Sequence, residues 1–218
     1  MTQEGKERLW DAIVKSILEC RRCDLHKYRR KPVPGEGNLN ARVMFIGEAP
    51  GRQEDIMGRP FVGQAGKLLD EMLSVAGLKR SEVFITNVVK CRPPNNRDPR
   101  DDEVEACSIH TDSIIRLIRP AVIVTLGNHS GKYVLQRLGG VRWRGVSRMR
   151  GRSYKISITG VGEVTVVPTY HPAAALYNPR VRPILESDFK LIGSIIKEGG
   201  EEGRRTTLLD FMGGGGER

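Results

Sequence analysis

The sequence predicts an α/β fold: a single domain with a central, mostly parallel four-stranded sheet flanked by helices. Short, mostly apolar runs end at glycine, as in Val43–Ile46 before Gly47 and Ala121–Leu126 before Gly127. Between them lie longer stretches whose apolar residues recur three and four positions apart, the spacing of one helix face. A chain of 218 residues with no internal repeat fits one such alternation and one core. Strands alternating with helices build a mostly parallel sheet, because a parallel connection needs a crossover long enough to hold a helix.

Taken in order, Leu9 to Leu18 reads as an amphipathic helix running into Cys20-Arg21-Arg22-Cys23. A basic, proline- and glycine-rich loop follows. Val43–Ile46 is the first strand. Gln64 to Ala76 is a helix with Leu68, Leu69, Met72 and Leu73 on one face, stopped at Gly77. Val83–Val89 is a strand, Arg100–Ile118 a helix closed by Pro120, Ala121–Leu126 a strand and Ser130–Leu138 a helix. Tyr154–Ile158 and Val164–Val167 are strand-like runs around Gly160, and Ile184–Lys197 is the last helix. The domain is taken as residues 1–198. Residues 199–218, seven of them glycine, form a flexible tail.

Charge narrows the function. Thirty-six Lys and Arg against 26 Asp and Glu leave +10, a balance that favours a polyanionic partner, nucleic acid first. Mean hydropathy is −0.37, and no run of 18 apolar residues argues for a membrane span. The first residues carry no apolar signal core, so a cytoplasmic location is expected rather than secretion. Arg142, Arg144, Arg148, Arg150 and Arg152 fall in one acid-free segment suited to phosphates.

In a parallel sheet, ligands bind beyond the carboxyl ends of the strands. There the sequence puts Gly47-Glu48-Ala49-Pro50-Gly51, then Glu54, and Phe61 in the glycine-rich loop Gly58–Gly63. Asn87 and His171 also end strands. A carboxylate such as Glu48 can activate water or face a developing cation. Phe61 can stack on a flat base or plug the core. The Asn87 amide offers a paired donor and acceptor for a base edge or caps a turn. The His171 imidazole can steady an anion. Cys20, Cys23, Cys91 and Cys107, all the cysteines of the chain, can converge on one site. Their spacing fits zinc or an iron–sulfur cluster equally.

Four segments in this order resemble the family 4 uracil-DNA glycosylases, the thermostable iron–sulfur type: Gly47–Gly51, Gly58–Gly63, Ile85–Pro94 and His171–Leu176. The likeness spans roughly Leu9 to Ile196. It implies a [4Fe–4S] cluster on the four cysteines. It also implies removal of uracil from single- or double-stranded DNA by base flipping and hydrolysis of the N-glycosidic bond, leaving an abasic site. Glu48 and His171 are then catalytic. Gly47, Ala49 and Gly51 line the uracil pocket, Phe61 stacks on the base, Asn87 reads its N3 and O4 edge, and Glu54 blocks the 5-methyl of thymine. Leu176 wedges into the vacated stack. The sister iron–sulfur family carries an apolar residue where Glu48 stands. In family 1 enzymes the acid comes one position later, at the place of Ala49. The rival readings are a metal-stapled, non-catalytic nucleic-acid-binding module and a glycosylase of broader base specificity. In the tail, Arg204–Met212 is similar to archaeal sliding-clamp-binding peptides, with Leu208, Phe211 and Met212 as anchors. Arg205 replaces the usual glutamine and Met212 the second aromatic.

Overall fold

The computed structural model describes residues 2–212, with side chains through residue 198. The clamp-peptide anchors Leu208, Phe211 and Met212 therefore lie outside the described side chains.

The strands are β1 (Glu36–Gly37), β2 (Val43–Gly47), β3 (Phe84–Asn87), β4 (Val122–Leu126), β5 (Tyr154–Ile158) and β6 (Gly162–Thr169). They form one sheet in the order β1-β3-β2-β4-β6-β5. The expected parallel core is β3-β2-β4-β6. The sheet is wider than the four strands expected, because an antiparallel strand closes each edge. β1 is two residues inside a proline–glycine loop and carries no periodic signal. β5 runs antiparallel to β6 because residues 159–161 between them are too few for a crossover.

The helices are α1 (Gln3–Leu18), α2 (Arg52–Met57), α3 (Gln64–Val75), α4 (Asp101–Ile118), α5 (Asn128–Gly131), α6 (Val146–Met149), α7 (Pro172–Tyr177) and α8 (Arg182–Met212). Thr2 caps α1, its hydroxyl accepting from the Gly5 N–H at 3.2 Å, so the helix begins well before Leu9. The helix expected from Ser130 starts at Asn128 and widens into a π-turn over Lys132–Leu138. The short helices α2, α6 and α7 were not legible, having too few turns to show a period.

β2, β3 and β4 are buried along their whole length, as parallel strands covered on both faces must be. Met44 and Ile46 pack with Ile17, Ile114 and Ile118 beneath α1 and α4. Val43 and Phe45 pack with Leu69, Leu73 and Phe189 beneath α3 and α8, and the Phe45 and Phe189 rings stack at 5.8 Å. β2 is the topological switch point: the chain moves to β3 on one side of it, then back to β4 on the other. The crevice opens at this place.

Candidate active site

All the predicted pocket residues except Gly47 line this crevice. Glu48, Ala49, Gly51, Glu54, Phe61, Asn87 and His171 line one cleft, joined by Arg97, Asp98 and Tyr177. Gly47 lies behind it at the end of β2. A Cβ at Gly47 would stand 2.4 Å from Asn87 Oδ1 and 2.7 Å from the Phe61 ring, so glycine lets both side chains close over the strand end.

Phe61 is buried, with its ring 5.4 Å from that of His171 at 27°. Its backbone sits at φ 49°, in the left-handed region that a bulky residue enters only when its surroundings fix it. Two contacts fix it. Glu54 Oε1 accepts from the N–H groups of Val62 and Gly63 at 2.9 and 2.8 Å. The Phe61 carbonyl packs directly on Gly66 of α3, where a Cβ would come within 1.9 Å of it. Phe61 is thus a core residue with one edge on the cleft, which joins the two readings of its sequence. Glu54 holds the Phe61 loop, a task its sequence did not announce.

Asn87 is buried at the end of β3, and its Oδ1 is one of three buried side-chain polar atoms without a hydrogen-bond partner among the described residues. An unpaired buried acceptor is costly and marks a place where something else completes the bond. Its backbone is pinned from below by Lys90, a buried lysine whose Nζ donates to the Asn87 carbonyl and, at 2.8 Å, to Thr86 Oγ1. Burial lowers the Lys90 ammonium to about 8.

His171 caps α7. Its Nδ1 accepts from the Ala173 N–H at 3.1 Å, which leaves the ring proton on Nε2. Burial lowers its pKa to about 4, partly opposed by Glu54, so the ring is neutral at physiological pH. Glu48 has the opposite problem. Burial raises its carboxyl above the ordinary range, His129 with Nε2 at 3.8 Å from Oε2 opposes the rise, and Asp98 adds to it.

The cysteines also converge. Cys20 follows α1, Cys23 opens a short 3-10 turn, Cys91 follows β3 and Cys107 lies on α4; all four line one cavity with Arg29, Lys90 and His110. Arg29 Nη1 donates to Cys91 Sγ at 3.1 Å, and the Lys90 N–H to Cys107 Sγ at 3.3 Å. Burial raises the Cys91 thiol and pushes that of Cys107 up to about 12. Sulfur acceptors ringed by donors are suited to thiolates bound to something cationic.

The basic segment divides. Arg142, Arg144 and Arg148 are exposed. Arg150 is not free for phosphate, because its Nε donates at 2.8 Å to Oδ2 of the buried Asp188. Leu176 is half exposed on α7, beside a largely exposed Tyr177.

The profile of the uracil DNA glycosylase superfamily matches residues 34–191. A type-4 uracil-DNA glycosylase of Sulfurisphaera tokodaii is 50% identical over 94% of this chain and 90% of its own length. One from Archaeoglobus fulgidus is 48% identical over 93% and 98%. A type-5 uracil-DNA glycosylase of Pyrobaculum aerophilum is 33% identical, over 72% of this chain and 73% of its own. The chain belongs to the type-4 uracil-DNA glycosylases.

Two features of this type-4 chain escaped the sequence reading. Asp188 on α8 accepts from Thr169 Oγ1 at 2.7 Å as well as from Arg150, and so clamps the end of β6 just before His171. His129 and Asp98 flank Glu48. Both groups are separated in sequence from what they touch, and no local motif announces them. The strand-end position of His129 was the available signal.

Proposed function

We propose that the chain excises uracil from DNA, hydrolysing the N-glycosidic bond of an extruded nucleotide and leaving an abasic site for repair. The observation that carries this reading is the unpaired, buried Asn87 Oδ1 facing a cleft between Phe61 and His171. Uracil presents N3–H and O4 on one edge. Asn87 Oδ1 accepts from N3–H and the amide nitrogen donates to O4. Cytosine, with donor and acceptor exchanged, leaves both groups opposed. Extrusion costs a few kcal/mol, repaid in part by stacking on Phe61. The neutral His171 donates from Nε2 to O2, where negative charge gathers as the bond breaks; a neutral donor steadies that anion without protonating it beforehand. The Glu48 carboxylate orients water or faces the cationic sugar. Glu54, lining the same cleft, stands against the 5-methyl of thymine, and Leu176 fills the vacated stack.

Cys20, Cys23, Cys91 and Cys107 are the residues that hold a [4Fe–4S] cluster in this reading. A single zinc ion, with Zn–S near 2.3 Å, draws its sulfurs to within about 4 Å of one another. Among the described residues no three cysteine sulfurs gather within 4.8 Å, which favours the wider cluster. The cluster's part is structural. It ties α1 to β3 and α4.

The partner is uracil-containing DNA, single- or double-stranded, met by a monomer inside the cell. Through Leu208, Phe211 and Met212 the tail docks on a sliding clamp. No helix among the described residues is long and apolar enough to cross a membrane. The test of the activity is uracil release from a U·G duplex, read as alkali-labile breaks, for the wild type, Glu48→Ala and Asn87→Asp. Release lost in both variants, with cluster absorbance intact, supports the reading. Wild-type protein that carries its cluster and releases nothing refutes it.

A further inference from the structure

The switch point brings a second ionisable group against Glu48. β2 delivers Glu48 and its parallel neighbour β4 delivers His129, in the first turn of α5. His129 Nε2 lies 3.8 Å from Glu48 Oε2 and 3.3 Å from Asp98 Oδ2. Asp98 comes from the loop leading into α4. That loop is tied down by Arg97, which donates to Glu103 Oε2 at 2.8 Å. One imidazole nitrogen is therefore bracketed by two carboxylates from separate parts of the chain. Glu48 and His129 are each about a quarter to a third exposed, at 30% and 25%, so their interaction is only partly screened by water.

We propose that His129 is a positioning residue for the reaction: with Asp98 behind it, its imidazole orients the Glu48 carboxylate and supplies the counter-charge that keeps it ionised. This rests on the reading of Glu48 as the group that faces water or the sugar cation.

The charged and titratable groups around Glu48 leave this task to His129. Glu54, from α2, spends Oε1 on the backbone of Val62 and Gly63. Arg97 turns its charge to Glu103. His171, at the start of α7, is neutral. Asp98 repels the carboxylate. Among the described residues that line the cleft or touch Glu48, His129 remains as the basic side chain facing the carboxylate, at 3.8 Å. Burial favours the protonated carboxyl, and a positive charge within 4 to 6 Å favours the ionised one, so the acid side of the activity profile reads their balance.

The experiment is the pH dependence of kcat and KM on a U·G duplex, using the full chain with its cluster, for the wild type, His129→Ala, His129→Gln, Glu48→Gln and the double variant Glu48→Gln/His129→Ala. In His129→Ala the acid limb of kcat moves to higher pH, with kcat at about pH 6 down roughly tenfold and KM little changed. His129→Gln keeps a donor without a charge; it recovers kcat on the alkaline plateau and retains the displaced limb. Adding His129→Ala to Glu48→Gln costs nothing further. A His129→Ala profile that overlays the wild type, or a fall in kcat that is uniform across pH, overturns the proposal. So do effects that multiply in the double variant. If Glu48→Gln alone keeps full activity, the reading of Glu48 fails, and that result is distinct from all of these.

Discussion

At the scale of the residue, the cleft leaves Asn87 Oδ1 unpaired, holds His171 neutral and fixes Phe61 in a backbone conformation that few bulky residues adopt. Phe61 shows what this costs. Its φ of 49° is held by Glu54 and Gly66, so the ring is set before any ligand is present. Phe61→Ala removes the stacking face and should lower kcat/KM by the equivalent of about 1–3 kcal/mol per base stacked. A negligible loss in single-turnover excision would return Phe61 to a purely structural part. His171 gives a stability signature. The folded ring titrates near 4 and the unfolded one near 6.5, so as pH falls through that window the unfolded chain takes up a proton that the native chain does not. The native state therefore loses stability between about pH 6.5 and 4, and this contribution is constant above the window. His171→Gln should lose less Tm than the wild type on the same acidification, measured by calorimetry. Parallel curves would show that the ring titrates normally. The placement of Glu48, Asn87 and His171 on the cleft was legible in sequence because each ends or follows a parallel strand, and that of Phe61 because it stands in a glycine-rich loop. Asp98, His129 and Asp188 were not, because their meaning lies in contacts across the sheet, which no local spacing records.

At the scale of the element, the four parallel strands and the long helices could be read because burial imposes a period or an unbroken apolar run on them. β1 and the helices α2, α6 and α7 could not, since two to six residues cannot display a period. The cysteines belong to this scale because they join elements. α1 meets α4 across the cavity that they line, and Ile17 is the one residue of α1 that is buried. Trp10 and Ile13 add partly buried contacts, Trp10 meeting the Phe84 ring edge-on at 5.3 Å, and the cysteines would add a second kind of attachment. With the proposed [4Fe–4S] cluster on these cysteines, Cys107→Ser should lose the cluster's brown absorbance and lower the Tm by several degrees, with α1 the first element to exchange its amide hydrogens. Glu48→Ala should keep both colour and Tm. An unchanged melting curve in a colourless Cys107→Ser protein would show that packing alone holds α1.

At the scale of the whole molecule, the question is how a chain of net charge +10 meets DNA. Affinity for a polyanion falls with salt because each neutralised phosphate releases counterions. The structure separates arginines that can do this from one that cannot. Arg142, Arg144 and Arg148 are exposed on the segment around α6, whereas Arg150 is committed to a carboxylate only 1% exposed. Replacing the first three by glutamine should flatten the slope of log K against log salt by about 2 to 3, at roughly 0.9 per duplex phosphate. Uracil specificity should stay unchanged, since phosphates carry no base identity. Arg150→Gln should do the reverse. It should leave the slope alone and cost about 3 kcal/mol of stability, by stranding the buried Asp188 charge that also holds Thr169 at the end of β6. Because that strand end carries His171, excision by Arg150→Gln should fall through kcat, with little change in duplex affinity. Fluorescence anisotropy on a uracil-free duplex across a salt series, beside single-turnover excision, checks both halves. An Arg150→Gln variant that flattens the salt slope as the other three do would place Arg150 on the DNA and undo the division.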